Sequence, residues 1–302
     1  MNKQHIVPPE WPAGSLPVVV PLKGGMPPCA DPLLEQDMAI LAGTGDGLDA
    51  ILAAETVTSA DVWLAGQCSS TFDVAWELVA LGHLGPWGAV VCSSQRQGRG
   101  QMRRLWHSPP GNLYVSFLLP NDPLFKEEAA AVLVGYMLAA SLDRMGYGVF
   151  LKWPNDLVTA VPAKVGGLLL EERDGLMVAG LGLNLACAPK ADSMRQSQSL
   201  PASTLGLCGR EGAGEKLFPL PLWLSLVSHA KIVYDLQVTG ELFSVLMQRA
   251  DSFLAMKGRE IRLVDAEVDS PCLCVGLGPS GGLVLANREG TAVEIFSGSV
   301  FL

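Results

Sequence analysis

No apolar run in this chain reaches the length of a membrane-spanning helix. The longest strongly apolar stretch, AAAVLVGYMLAASL from Ala129 to Leu142, has fourteen residues, short of the ~20 a bilayer requires, and so predicts a buried core helix. The opening residues MNKQHIVPPEWPAG lack the long apolar segment of a secretory leader, and export is not expected. Paired cysteine spacing is missing too. The seven cysteines, at 29, 68, 92, 187, 208, 272 and 274, form an odd set with no Cys-x-x-Cys, and the four histidines are scattered, so neither a disulfide framework nor a zinc cage suggests itself. Cys272 and Cys274 read as one face of a strand, because residues two apart point the same way on a pleat. A reducing cytoplasm fits this usage.

Positive charge is scarce. Lys and Arg number 21 against 30 Asp and Glu, giving a net charge of -9, and the isoelectric point is near 4.9. A broad electrostatic grip on nucleic acid is excluded, so any anion site must be local. The first 60 residues hold two basic and seven acidic residues among many Pro and Gly. Asp31-Pro32 there predicts a helix toward Leu41, and a second short helix is expected over Leu48 to Ala54. The second has no basic residue to meet a phosphate, which argues against a DNA-reading helix-turn-helix. Standard nucleotide motifs are absent as well: no Gly-Lys-Ser/Thr loop occurs, and neither GRGQMRR nor GLGLNL completes Gly-x-Gly-x-x-Gly.

What is present is a 302-residue chain, 49% hydrophobic and 17% charged, able to bury one large core with sequence left for a small second domain. Its basic residues are unevenly spread: four of the twelve arginines fall between Arg96 and Arg104, and SSQRQGRGQMRRLWHSPPGNLYVSF, residues 93 to 117, contains no carboxylate. An anionic visitor is expected there. Gly98 and Gly100 bracket Arg99 and let the backbone bend and approach a ligand closely.

Mixed α and β patterning begins near residue 62. VWLAG reads as a strand; Ser70 and Thr71 then precede Phe72, Ala75, Trp76 and Val79, whose spacing predicts a helix closed by Gly82. AVVCSS and NLYVSFLL read as strands on either side of the arginine loop. Asp122-Pro123 is expected to open the apolar helix, VFLKW to run as a strand into the turn PND, and VGGLLLEE and LMVAGLGLNL to pair across Asp174-Gly175 as an antiparallel hairpin. Residues 190 to 215 read as a polar loop, and helices are expected over Leu222 to Leu236 and from Glu241 to about Phe253. The last fifty residues, with EIRLVD, CLCVGLG, GGLVLA and TAVEIFS separated by glycines, predict a small β-barrel.

Three stretches in this order resemble the biotin protein ligase family: QRQGRGQMRRLWHSPPGNLYVSF its glycine-arginine loop, LKWPNDLV its Lys-Trp-Pro-Asn-Asp signature, and AKVGGLLLEE its Lys-x-Gly-Gly-Ile-Leu-x-Glu strand. SST at 69 to 71, GLGLNL, GPSGGLVL and the terminal SGSVFL fall in matching places. The resemblance implies an α+β fold with a mixed, largely antiparallel sheet and flanking helices, like class II aminoacyl-tRNA synthetases, plus a small C-terminal SH3-like β-barrel. It implies an acidic extension over 1–61, a catalytic domain over 62–253 and the barrel over 254–302.

The implied activity has two steps, biotin and MgATP giving biotinyl-5'-AMP, and transfer of biotin to a lysine of a biotin carboxyl carrier domain of a carboxylase. Both steps bring anions together, so fixed cations lower the barrier by screening and positioning. Carried over by position, Ser70, Thr71, Phe72, Gln95, Arg99, Gly100, Gln101 and Lys164 face biotin. Arg99, Arg103, Trp106, Lys152, Asn155, Gly166, Gly167 and Asn184 face the nucleotide. Lys164, Arg99 and Asp156 are the implied catalytic residues, with Asp156 either accepting a proton or placing a metal that arrives with ATP; no direct protein ligand to Mg2+ is implied. Trp106 either shields the adenosine or anchors the core, and Trp153 is read as packing.

Three positions depart from the family pattern: Gln101 replaces an arginine and Arg103 a glycine, which predicts a looser hold on the adenylate unless Arg103 substitutes for the lost arginine, and Phe72 stands where asparagine is common. The expected protein is a cytoplasmic, monofunctional ligase without a DNA-binding domain, membrane segment or nucleic-acid partner. A homodimer is compatible with the sequence, which does not fix the oligomeric state. The competing readings are a biotin-responsive repressor, a lipoyl or octanoyl transferase, and a degenerate homologue that binds adenylate without ligation.

Overall fold

The computed structural model describes residues 4–7, 18–20, 61–189, 200–209, 217–264 and 271–301. The two helices expected before residue 60 and most of the 190–215 loop lie outside the described residues. In chain order the strands are β1 Gln4–Val7, β2 Val18–Val20, β3 Val62–Cys68, β4 Ala89–Gln95, β5 Leu113–Leu118, β6 Val149–Lys152, β7 Asp156–Thr159, β8 Lys164–Arg173 and β9 Leu176–Leu183. Five short strands close the described chain: β10 Glu260–Val264, β11 Cys272–Leu277, β12 Leu283–Ala286, β13 Ala292–Ile295 and β14 Ser299–Phe301. The α-helices are α1 Thr71–Ala80, α2 Ala130–Arg144, α3 Pro219–Val233 and α4 Phe243–Asp251.

Two compact units divide the chain, the first holding 1–122, 168–187 and 216–228, the second the remainder. Strand β8 contributes its first four residues to the second unit and the rest to the first.

In the first unit β3 runs parallel to both β1 and β4, while β4 with β5 and β5 with β9 are antiparallel. A parallel pair needs a crossover, and α1 supplies it between β3 and β4. Strands β3, β4 and β5 are buried along nearly their whole length, as their unbroken apolar runs require of strands covered on both faces. Ser70 caps α1 by accepting from the Phe72 amide at 3.4 Å, and Gly82, at φ +70, ends it. Phe72, Ala75, Trp76 and Leu78 from α1 join Trp63, Val90, Tyr114 and Val178 from the strands in the core. The β8–β9 hairpin turns through Asp174 and Gly175, both with positive φ (51 and 76), as a two-residue hairpin loop demands.

In the second unit β6 and β7 form an antiparallel hairpin around Trp153-Pro154-Asn155, where the Trp153–Pro154 bond is cis, and β7 pairs with the start of β8. Helix α2 matches the apolar stretch but does not start at Asp122. Pro123–Lys126 forms a separate 3-10 turn, the Ala130 amide then donates to the Glu127 carbonyl, and only Ala129 precedes the helix. The C-terminal strands form one antiparallel sheet in the order β13-β12-β11-β10-β14. Cys272 and Cys274 both point inward from β11 while Leu273 and Val275 are exposed, as the alternation predicts. Burial, reinforced by the Asp251 charge, pushes the Cys274 thiol up to about 11, which keeps it protonated and unreactive.

Candidate functional site

The first unit gathers most of the residues assigned to biotin at the C-terminal ends of β3 and β4. The Thr71 amide donates to Gln95 Oε1 at 2.9 Å, and the Thr71 hydroxyl lies 3.3 Å from the same oxygen and 2.7 Å from Ser116 Oγ. Gln95 Nε2 in turn donates to Ser108 Oγ at 2.9 Å, and Ser108 donates to the Trp106 carbonyl at 3.0 Å. The backbone of Gly98 closes against this chain: a Cβ there would lie 2.5 Å from the Trp106 carbonyl oxygen and 2.6 Å from Ser108 Oγ. The result is a line of neutral donors and acceptors, suited to a head group that itself both donates and accepts.

Two aromatic side chains of the expected set serve packing. The Phe72 ring lies against Gly180, where an added Cβ would come within 2.4 Å, and Trp106 lies against Gly182, where it would come within 2.6 Å. Phe72 is buried, and Trp106 borders the same core, so the glycines of GLGLNL accommodate rings of this chain. Ser70 is fully buried as the helix cap, whereas Gln101 is exposed. The Gly100 amide donates to the Arg104 carbonyl at 2.8 Å, which folds the loop back on itself. The side chain of Arg103 lies outside the described residues.

Arg99 finds in space the carboxylates that its own segment lacks. Its guanidinium donates to Glu171 Oε1 at 2.9 Å and to Glu171 Oε2 at 3.2 Å, and also bonds Asp73 Oδ1. The carboxylates come from α1 and β8, remote in sequence. Partial burial alone would lower the Arg99 pKa; the hydrogen bond to Glu171 and the charges of Asp73 and Glu171 more than offset that, so it is raised above its ordinary value. Sequence reasoning missed both acids, and also Asn112. Asn112 Oδ1 accepts from the amides of Leu185, Ala186 and Cys187 at 2.9, 3.0 and 3.2 Å, while Nδ2 donates to the Cys187 carbonyl at 2.9 Å. It thereby fixes the turn that follows the buried Asn184. The only available signal was a lone amide residue before a strand.

The second unit brings together Lys152, Asp156 and Lys164. Lys152 and Asp156 are direct partners across the β6–β7 hairpin, with Lys152 Nζ 3.4 Å from Asp156 Oδ2. Lys164 Nζ lies 2.6 Å from Asp156 Oδ1. The backbone of Lys164 is held on both sides, its amide donating to the Pro201 carbonyl at 2.7 Å and its carbonyl accepting from the Ser203 amide at 2.8 Å. Two ammonium groups thus meet at one half-buried carboxylate. Gly166 and Gly167 sit opposite Leu157 and Asp156 on β7, and Asn155 is half-buried in the turn. Trp153 is buried and donates through Nε1 to the Gly281 carbonyl at 3.2 Å, so the signature turn is tied to the C-terminal sheet's Gly278–Gly282 segment. Among the described residues no group of three or more His, Cys, Asp or Glu side chains could hold a metal ion.

The biotin/lipoate A/B protein ligase family model matches residues 64–184. A biotin--[acetyl-CoA-carboxylase] ligase of Paracoccus denitrificans is 28% identical over 224 residues, which are 69% of this chain and 90% of that protein. The bifunctional ligase/repressor BirA of Bacillus subtilis is 33% identical over 129 residues, 40% of this chain and 39% of that protein. Among solved structures, the biotin protein ligase of Aquifex aeolicus in complex with biotin and ATP aligns with a TM-score of 0.59 at 24% identity, covering 80% of this chain and 98% of that one. That structural likeness establishes the fold: mixed α+β, with a large, mostly antiparallel sheet and flanking helices.

Proposed function

We propose that this chain, whose residues 64–184 are a domain of the biotin/lipoate A/B protein ligase family, is an ATP-dependent biotin protein ligase. In the first step a carboxylate oxygen of biotin attacks the α-phosphorus of ATP; the bond to the bridging oxygen breaks, and biotinyl-5'-AMP and pyrophosphate result. In the second, the neutral ε-amine of a carrier-domain lysine attacks the acyl carbon, the C–O bond to AMP breaks, an amide forms and the amine loses a proton.

The observation that carries this reading is the meeting of two ammonium groups, Lys152 and Lys164, at Asp156. Lys164, held at 2.6 Å from Asp156, can turn toward the negative charge that moves from carboxylate to phosphate, because an ammonium on a flexible stem follows charge as a rigid fork does not. Asp156 then becomes free to take the proton that the attacking amine releases. Lys152 and Asn155 serve the phosphates, and Mg2+ arrives as part of the nucleotide substrate. Thr71 and Gln95 hold the ureido head, since their hydrogen-bonded line offers both an acceptor and donors.

The same reading takes residues 1–61 as an extension, 62–253 as the catalytic domain and 254–302 as an SH3-like barrel built on the five-stranded C-terminal sheet. It places the protein in the cytoplasm, with the carrier domain of a biotin-dependent carboxylase as its partner. The test is incubation with biotin, MgATP and an apo carrier domain, in parallel with lipoate. A mass increase of one biotinyl group on the carrier lysine is expected. Transfer of lipoate in place of biotin, or adenylate without carrier modification, overturns the assignment.

A further inference from the structure

Strand β5 reads LYVSFL, and every residue of it is buried. Ser116 carries the aliphatic hydroxyl of that run and is fully enclosed, at 0% exposure; burying a hydroxyl is unfavourable unless it finds a partner. The register decides which partner is in reach. Ser116 stands between Val90 of β4 and Gly180 of β9, three residues in one row across the sheet. The first turn of α1 lies over this row. The Phe72 ring covers Gly180, where a Cβ would come within 2.4 Å of it, and the Thr71 hydroxyl lies 2.7 Å from Ser116 Oγ. Helix and sheet thus meet through one apolar and one polar contact side by side, and the polar one engages the hydroxyl assigned to the ureido head.

Each hydroxyl has one hydrogen to give. Thr71 gives its own to Gln95 Oε1 at 3.3 Å, an oxygen that also accepts from the Thr71 amide at 2.9 Å. In the 2.7 Å contact Ser116 is therefore the donor and Thr71 the acceptor. With Ser116 occupying the sheet side of Thr71 Oγ, the Thr71 hydrogen is directed away from the sheet, to the side where Gln95 lies. None of these atoms belongs to the segment between β4 and β5: Thr71 opens α1, Gln95 ends β4 and Ser116 is inside β5.

We propose that Ser116 is a positioning residue for the biotin head group, one that fixes the Thr71 hydroxyl as a donor. The inference rests on the ligase reading above and deepens it. A ureido carbonyl accepts and takes the Thr71 hydrogen; a ureido N–H donates and is met by Gln95 Oε1. Without Ser116 the Thr71 hydroxyl is free to turn its hydrogen to the sheet and present a lone pair, which repels a carbonyl oxygen. A donor already fixed by the protein adds no ordering cost when the ligand binds. The same arrangement discriminates between head groups. One with an N–H in place of the carbonyl meets a donor where it needs an acceptor, and a site built for one polarity rejects the other.

Calorimetric titration of the full chain with biotin and with 2-iminobiotin, whose cyclic guanidinium donates where the ureido carbonyl accepts, tests the proposal. In Ser116→Ala, Kd for biotin should rise about 10-fold, the scale of one hydrogen bond in a buried site. Kd for 2-iminobiotin should rise less, so that the preference for biotin shrinks, whereas a general loosening of the fold would weaken both alike. Ser141→Ala removes another fully buried serine, one that donates to the Met137 carbonyl at 2.6 Å within α2, and should keep the preference of the natural protein. In a Thr71→Val background, Ser116→Ala should change neither Kd further. Should Ser116→Ala not fold, Ser116→Cys keeps the bulk with a weak donor and must shift the preference the same way by a smaller factor. An unchanged preference in the variant that folds, or an equal effect in the Thr71→Val background, overturns the proposal. The pair is also read without any ligand: in urea unfolding, the losses from Ser116→Ala and Thr71→Val should exceed, when summed, the loss in the double variant, and strict additivity overturns the pairing. If the natural protein binds no biotin, the ligase reading fails and the head-group role with it, while unfolding still decides whether Ser116 holds Thr71.

Discussion

The two polar clusters are built on opposite charge plans. In the first unit a single guanidinium lies between two carboxylates, with Arg173 closing the balance at neutrality. In the second, one carboxylate, Asp156, lies between two ammonium groups, Lys152 and Lys164. Carboxylates on either side of a guanidinium tie a loop to a helix and a strand, whereas cations on either side of a carboxylate can lower the energy of a further anion beside them. Local density of arginine in the sequence therefore does not tell which charges pair in space.

The sharpest way to break this contrast is Lys164→Ala. Removing the ammonium closest to Asp156 takes away one of the two cations at that carboxylate, and kcat for carrier biotinylation should fall by roughly 10²–10³-fold, with circular dichroism unchanged. Single-turnover assays separate adenylate formation from transfer. A loss no larger than that of a surface lysine would mean that the Lys164 ammonium does no chemistry.

Next in size is Gly180→Ala. The added methyl would meet the Phe72 ring at 2.4–2.5 Å, and overpacking of that kind costs about 1–3 kcal/mol in a close-packed core. Urea denaturation should show the loss, and a Phe72→Leu partner change should recover part of it. Failure of that rescue would show that Gly180 answers to something other than the ring.

Much of this arrangement was readable in the residues. Periodicity and turn chemistry located β3, α1, β4, β5 and the Asp174-Gly175 hairpin, because each is set by local rules that a burial pattern or a positive φ obeys. The start of α2 was misplaced, since Asp122-Pro123 has the local form of a helix opening yet heads its own 3-10 turn. What could not be read was pairing over distance: Arg99 with Asp73 and Glu171, or Asn112 with the amides of 185–187, depends on strand order, which local sequence does not encode. The apparent isolation of Arg99 was a property of the window, and Gly180 and Gly182, whose GLGLNL segment does not complete a nucleotide loop, answer to Phe72 and Trp106.

A smaller effect is expected from Gln101→Arg. Gln101 is exposed on the glycine-arginine loop, and a guanidinium there adds a charge-assisted donor for an anionic ligand, on the order of 1 to 3 kcal/mol. Release of biotinyl-adenylate in the absence of carrier should slow by about tenfold at that scale. Equal release rates in the two proteins would show that this position does not face the intermediate.

The smallest effect should come from Arg173→Ala, and its size ranks the members of the balanced cluster. The Arg173 side chain is 50% exposed, lies 3.4 Å from Glu171 and sits over the Trp76 ring. Exposed ion pairs and cation–π contacts of this kind contribute about 0.5–1 kcal/mol each, and solvent screens the first. Urea denaturation should register a loss in that range, because Trp76 and Arg99 still hold Glu171 once Arg173 is gone. A loss well beyond it would show that Arg173, and not Trp76, aims the carboxylate at Arg99.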